Sequence, residues 1–155
     1  MNISHDVYMK MALREARDAL KEGEVPVGAV IVSDGAVIGR AHNQVERLND
    51  ATAHAEMIAL TQASAALQEW RLEACSMYVT LEPCAMCAGA LVQCRMPLVV
   101  FGTRDWQQGG LLSNFGIARF PKHTHRIDVI EGVCEIECRE MLQIFFDTLR
   151  SKRNA

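Results

Sequence analysis

Residues 54–67 and 84–94 are apolar on nearly every side, and each stretch is entered from a loop. A helix without a polar face has to be covered all round. Met77-Tyr78-Val79-Thr80-Leu81 lies between the two stretches and Leu98-Val99-Val100-Phe101 follows them, both strand-like runs. Buried helices alternating with strands pack on a sheet whose second face needs helices of its own. The pattern predicts an α/β fold, a three-layer α-β-α sandwich around a mixed five-stranded sheet.

The remaining elements fit that frame. Residues 5–22 carry Tyr8, Met11, Ala12, Ala16, Ala19 and Leu20 at helical spacing, with Ser4 as N-cap and Gly23 as stop. Val27–Val32 and Ala36–Gly39 flank Ser33-Asp34-Gly35, a hairpin signal that makes the start of the sheet antiparallel. Arg126–Ile130 reads as the last strand. A closing helix over 134–150 sets Cys134, Cys138, Leu142, Phe145 and Leu149 on one stripe. The stretch 105–125, broken by Gly109, Gly110, Gly116 and Pro121, is the least regular, and a connection that long is more often functional than idle.

At 155 residues, half of them apolar, the chain is expected to form one domain over 1–155 with a core that needs no disulfides. No run approaches a membrane span, and Met1–Asp6 lacks the layout of a signal peptide, which predicts a soluble cytoplasmic protein. In a reducing compartment the six cysteines are thiols or metal ligands. A net charge of −3 is unlike a dedicated nucleic-acid binder, so any RNA contact has to come from a local patch.

The chemistry concentrates in His54-Ala55-Glu56 and Pro83-Cys84-Ala85-Met86-Cys87, both at predicted helix starts. Cysteines at i and i+3 of a first turn can reach one ion, and the positive end of the helix favours their thiolates. His54 supplies a third ligand. Three protein ligands leave the fourth position of a catalytic zinc for water. Glu56 lies about 200° around a helix from His54, so the two cannot share a ligand face in mid-helix, a constraint that relaxes at the tip of a helix. A carboxylate beside the metal without binding it is what a proton shuttle needs. A redox pair or half of a closed structural zinc site is the alternative reading of Cys84-x-x-Cys87, although no second Cys-x-x-Cys or His-x-His is present to close such a site.

The order His-x-Glu then Pro-Cys-x-x-Cys resembles the cytidine deaminase-like zinc deaminases. One branch is matched further, the bacterial tRNA-specific adenosine deaminases. The stretches that carry this likeness are Glu24–Val30, His42-Asn43, Ala51–Glu56, Tyr78–Ala90 and Val100-Phe101-Gly102, and the similarity continues to Phe145-Phe146. It implies hydrolysis of the wobble adenosine of a tRNA anticodon loop to inosine, with one zinc per chain on His54, Cys84 and Cys87. Glu56 would move protons from water to N1 and then to the departing ammonia. Asn43 would hydrogen-bond the purine, and the backbone around Ala55 and Cys84 would fix the base. Further substrate contacts would fall to Val27, Arg104, Asp105, Thr124, His125 and Phe145. The resemblance also implies a homodimer with the anticodon loop near its boundary. Gly109–Asn114 and Thr124-His125-Arg126 depart from the usual pattern where the RNA side of the pocket is shaped.

Three functions are weighed against one another: a tRNA adenosine deaminase, a deaminase of a free guanine, cytosine or nucleoside, and a non-catalytic RNA-binding subunit with structural zinc. The intact Glu56 argues against the last. Arg119, Lys122, Arg126, Arg150, Lys152 and Arg153 offer the basic patch an acidic RNA-binding protein needs. His5 is expected to be merely solvated, Cys134 and Cys138 to be core, and Trp70 and Trp106 to be packing residues.

Overall fold

The computed structural model describes residues 4–155, so Met1–Ile3 of the amino-terminal segment lie outside the described residues. Helix α1 (His5–Lys21) leads into β1 (Gly28–Ser33) and β2 (Ala36–His42). A single-turn helix α2 (Val45–Leu48) and then α3 (Ala55–Leu67) follow, and after them β3 (Cys75–Leu81), α4 (Ala85–Gln93) and β4 (Leu98–Thr103). A 3-10 turn at Ile117–Arg119, β5 (Asp128–Glu131) and α5 (Glu135–Arg153) complete the order. The sheet runs β2-β1-β3-β4-β5. Its first two pairings are antiparallel and its last two parallel, the mixed sheet expected.

Ser4 caps α1 by accepting the Asp6 N–H, and the chain leaves the helix through Gly23 at φ 78°. The β1–β2 turn places Asp34 and Gly35 at φ 49° and 76°, the left-handed pair that matches the twist of a hairpin. The buried face of α1 is centred on Met9, Ala12, Leu13 and Ala16, while Met11 and Leu20 are half-buried at its margin. Periodicity alone does not say which flank of an apolar stripe the sheet will cover.

Side chains alternate across the sheet as the pleat requires. Ala29, Ile31, Met77, Val79, Val99 and Phe101 face one core, shared with α3 and α4. Val30, Val32, Tyr78 and Val100 face the other, shared with α1 and α5. These are the three layers. Among the described residues no helix is long and apolar enough to cross a membrane.

Several details differ from the expectations, and Trp70 and Trp106, expected to be packing residues, are both exposed. Only Cys138 and Met141 of α5 are buried, and Leu149 on the expected stripe is exposed, because the helix outruns the sheet it packs on. Cys134 is not inside α5 but caps it, at φ 53°. His5 is exposed yet engaged: its Nδ1 lies 2.8 Å from the Tyr78 hydroxyl.

Because β3, β4 and β5 are parallel, their carboxyl ends share one edge of the sheet. The chain leaves that edge at Glu82, Arg104 and Gly132, and α4 begins there. Open sheets of this kind bind ligands outside those ends.

Candidate metal centre and active site

His54 and Cys84 occupy the same structural position, the N-cap of α3 and of α4, each with extended backbone. Their helices lie side by side on one face of the sheet, so the two caps meet. His54 Nδ1 is 3.5 Å from Cys84 Sγ and 3.6 Å from Cys87 Sγ, which comes from the first turn of α4. All three ligand atoms lie within 4.8 Å of one another. A zinc ion about 2.3 Å from sulfur and 2.0–2.1 Å from nitrogen, at tetrahedral angles, would set nitrogen and sulfur about 3.6 Å apart. The donor set and its spacing fit zinc.

The electrostatics point the same way. The hydrogen bond from the Cys87 thiol draws the Cys84 thiol down to about 4, against burial and helped by His54. The Cys84 sulfur in turn raises Cys87, together with burial and the neighbouring Glu56. The hydrogen bond with Cys84 also raises His54, burial opposing it. Among protein groups alone, one thiolate forms at the expense of the other. A dication removes that conflict, holding both sulfurs as thiolates and the imidazole neutral.

Glu56 is the second residue of α3 and is 4% exposed. Burial lifts its carboxyl above the ordinary range, and its own backbone N–H and His54 oppose the shift. A carboxyl raised by burial next to a metal site is suited to holding and passing a proton.

Two buried carboxylates brace the surroundings, and the sequence reading missed both as structural elements. Glu24, 1% exposed, accepts the Glu46 and Arg47 N–H groups at 2.9 Å each and so ties α2 to the end of α1. The chain between Asn43 and His54 is further held by Gln44 N–H to Ala53 O and Thr52 N–H to Asp50 Oδ1. Glu82, 2% exposed, accepts the N–H of Asp105 at 3.2 Å and those of Leu112 and Ser113 at 2.9 Å, and also the Ser113 hydroxyl. The only sequence signal was a glutamate next to proline at the close of an apolar run.

The loop that Glu82 holds lies directly on the metal centre. Gly109 bridges to Cys84, and Gly110 N–H donates to Pro83 O at 2.7 Å. A Cβ on Gly110 would lie 2.6 Å from the backbone of Cys84 and Ala85, so only glycine fits.

The expected substrate residues fall into two groups. Asn43, 8% exposed, follows β2, its N–H bonded to Val27 O at 3.1 Å, while Val27 and Ala55 belong to the core beneath the site. Arg104 pairs with Glu131 at 2.9 Å and lies over the Trp106 ring, and the Asp105 carboxylate accepts the Gln107 and Gln108 N–H groups. Farther along, Thr124 is exposed, His125 Nε2 lies 2.7 Å from Met96 O, and Phe145 packs edge-on against Phe146.

The chain is similar to known proteins over nearly its whole length. Residues 3–150 match the MafB19-like deaminase family. The tRNA-specific adenosine deaminase of Bacillus subtilis (strain 168) is 46% identical over 150 residues, 97% of this chain and 93% of that protein. The tRNA-specific adenosine deaminase of Aquifex aeolicus (strain VF5) is 47% identical over 146 residues, 94% and 96% of the two chains. A structure solved in a study of A-to-I editing by tRNA:A34 deaminases at the wobble position of transfer RNA superposes with a TM-score of 0.84. That protein is 42% identical, over 87% of this chain and 98% of its own. The chain belongs to the MafB19-like deaminase family, on its branch of tRNA-specific adenosine deaminases.

Proposed function

We propose that this chain is a single-domain enzyme that hydrolyses adenosine to inosine at the wobble position of a tRNA anticodon, using zinc on His54, Cys84 and Cys87. The observation that carries this reading is the meeting of His54, Cys84 and Cys87 at zinc spacing with the buried Glu56 beside them. When bound, zinc supplies the Lewis acidity that makes water a nucleophile near neutral pH. Water enters, the C6–N bond breaks and ammonia leaves.

Glu56 handles the protons. Its carboxylate takes one from water and delivers it to N1 of the adenine, then takes the second from the hydroxyl now on C6 and passes it to the departing amine. Burial favours the protonated form of this carboxyl, which suits a group that must hold a proton between steps. Asn43 hydrogen-bonds the purine edge, Val27 supports its apolar face, and the first N–H groups of α3 at Ala55 face the base. Arg104, Asp105, Thr124, His125 and Phe145 shape the surrounding RNA surface. Phosphates are held by Arg119, Lys122, Arg126, Lys152 and Arg153, all exposed. The working unit is a homodimer, which sedimentation measures directly.

The test is incubation of zinc-loaded protein with tRNA and, separately, with free bases and nucleosides. Inosine should form at the wobble position. Five phosphate contacts at a slope of roughly −0.7 each predict that RNA affinity falls on the order of a hundredfold between about 50 and 200 mM salt. Salt-insensitive turnover of a free base, with no inosine in tRNA, would establish a nucleobase deaminase instead.

A further inference from the structure

Both ring nitrogens of His42 face carboxylates of α1 and its C-cap. Nδ1 lies 3.0 Å from Glu15 Oε2, and Nε2 lies 2.9 Å from Glu22 Oε2. A neutral imidazole has one N–H and turns a lone pair toward the second carboxylate, so both contacts hold together only in the doubly protonated ring. Burial opposes that charge, but the two carboxylates outweigh it and raise the pKa of His42. Three other charged groups surround the cluster. Asp18 offers a carboxylate oxygen within 4.8 Å of Glu15 and His42. Arg47 pairs with Glu22 at 3.3 Å, and Arg40, two residues back on β2, turns its guanidinium toward Met11 Sδ at 4.0 Å.

His42 closes the β1–β2 ladder, opposite Gly28. This rung is pressed onto α1, since a Cβ on Gly28 would run into the Ala12 carbonyl oxygen. The next residue is Asn43. Side chains alternate along a strand, and Ala41 faces the core shared with α3 and α4. With His42 turned to α1, Asn43 therefore falls on the side of the metal centre.

Beyond Asn43, α2 is tied to the same end of α1 by Glu24, which accepts the Glu46 and Arg47 N–H groups, and by the Arg47–Glu22 pair. Asn43 thus lies between two anchors that share Glu22. Of the side chains in those anchors, His42 is the one whose charge changes near neutral pH.

We propose that His42, clamped between Glu15 and Glu22, is a positioning residue that aims the Asn43 amide at the purine edge. It touches no substrate atom and acts by fixing the end of β2 against α1. The inference rests on the reading of Asn43 as a purine contact and adds a proton-dependent brace to it. When the ring loses its proton, one carboxylate contact turns repulsive and the strand end keeps one tie instead of two.

His42→Ala should slow single-turnover deamination of an anticodon stem-loop RNA about tenfold, a fraction of the roughly hundredfold that a 1 Å misplacement costs. The Kd for that RNA, set by phosphate contacts, should move less than about twofold, and bound zinc should not change. In an Asn43→Ala background the same substitution should cost less than about twofold, because its route to the purine is already gone. His42→Gln keeps one hydrogen bond, as a neutral imidazole does. It should run about threefold slower than the parent near pH 6, the scale of one hydrogen bond, and match it near pH 9. This comparison decides alone if the alanine variant does not fold. Equal losses from His42→Ala with and without Asn43, or a parent-to-glutamine ratio flat across that pH range, would overturn the proposal and leave the enzyme's function standing. Asn43→Ala at the parent's rate would remove the purine contact and the proposal with it. A parent protein that makes no inosine in any RNA would overturn the tRNA reading as well.

Discussion

Replacing Glu82 by glutamine tests whether a buried carboxylate, and not the loop's own sequence, holds residues 105–113 against the metal centre. The carboxylate accepts Asp105 N–H and the Ser113 hydroxyl on one oxygen, and the N–H groups of Leu112 and Ser113 on the other. Glutamine keeps one acceptor oxygen. Turned to serve Leu112 and Ser113, it points its amide N–H at the Asp105 N–H, donor against donor. The unsatisfied donor costs about 1–3 kcal/mol, and loss of the charge on the two remaining bonds about 0.5–1 kcal/mol each. A total near 3 kcal/mol corresponds to a fall in Tm of about 6–12 °C for a domain of this size. Because Gly109 and Gly110 bond to Pro83 and Cys84, zinc should also be lost faster to a chelator, by roughly ten- to hundredfold. Thermal unfolding by circular dichroism and competition with a coloured chelator read the two effects. A Tm within about 2 °C of the parent, with unchanged zinc release, would refute the reasoning.

Cys87→Ser should reduce bound zinc to a small fraction of one per chain and abolish deamination, as elemental analysis beside an activity assay would show; stoichiometric zinc in a Cys84→Ser/Cys87→Ser double variant would remove both from the ligand set. Glu56→Ala should keep the metal and the fold yet lose turnover by roughly 10² or more, and activity within a few-fold of the parent would take Glu56 out of the mechanism. His42 lies between Glu15 at 3.0 Å and Glu22 at 2.9 Å. Burial lowers its pKa, but the two carboxylates outweigh burial and the net shift is upward. A raised folded pKa means stability fully present below the unfolded value of about 6.5 and lost as pH rises through the folded one. The stability gap between parent and His42→Gln should therefore shrink from about pH 6 to pH 9 in denaturant titrations, and a gap that widens would contradict the sign.

Much of this protein is local and therefore legible in its sequence. Ser4, the Asp34-Gly35 turn and the all-round apolar runs 55–67 and 85–93 specify caps, a hairpin and buried helices through contacts within a few residues. The candidate metal cluster was legible for the same reason: His54 and Cys84-x-x-Cys87 each begin such a helix, and two helices on one face of a parallel sheet edge bring their starts together. The tertiary structure alone decided that Glu24 and Glu82 are buried braces, that α1 turns Met9 and Leu13 inward, that His5 meets Tyr78, and that Trp106 is held out in solvent. Each depends on partners remote in the chain. A carboxylate can be buried only where several N–H donors converge on it, and for Glu82 those donors come from a loop more than twenty residues away. Sequence spacing records the repeat of a helix or a strand, but not which distant backbone groups will arrive to replace water.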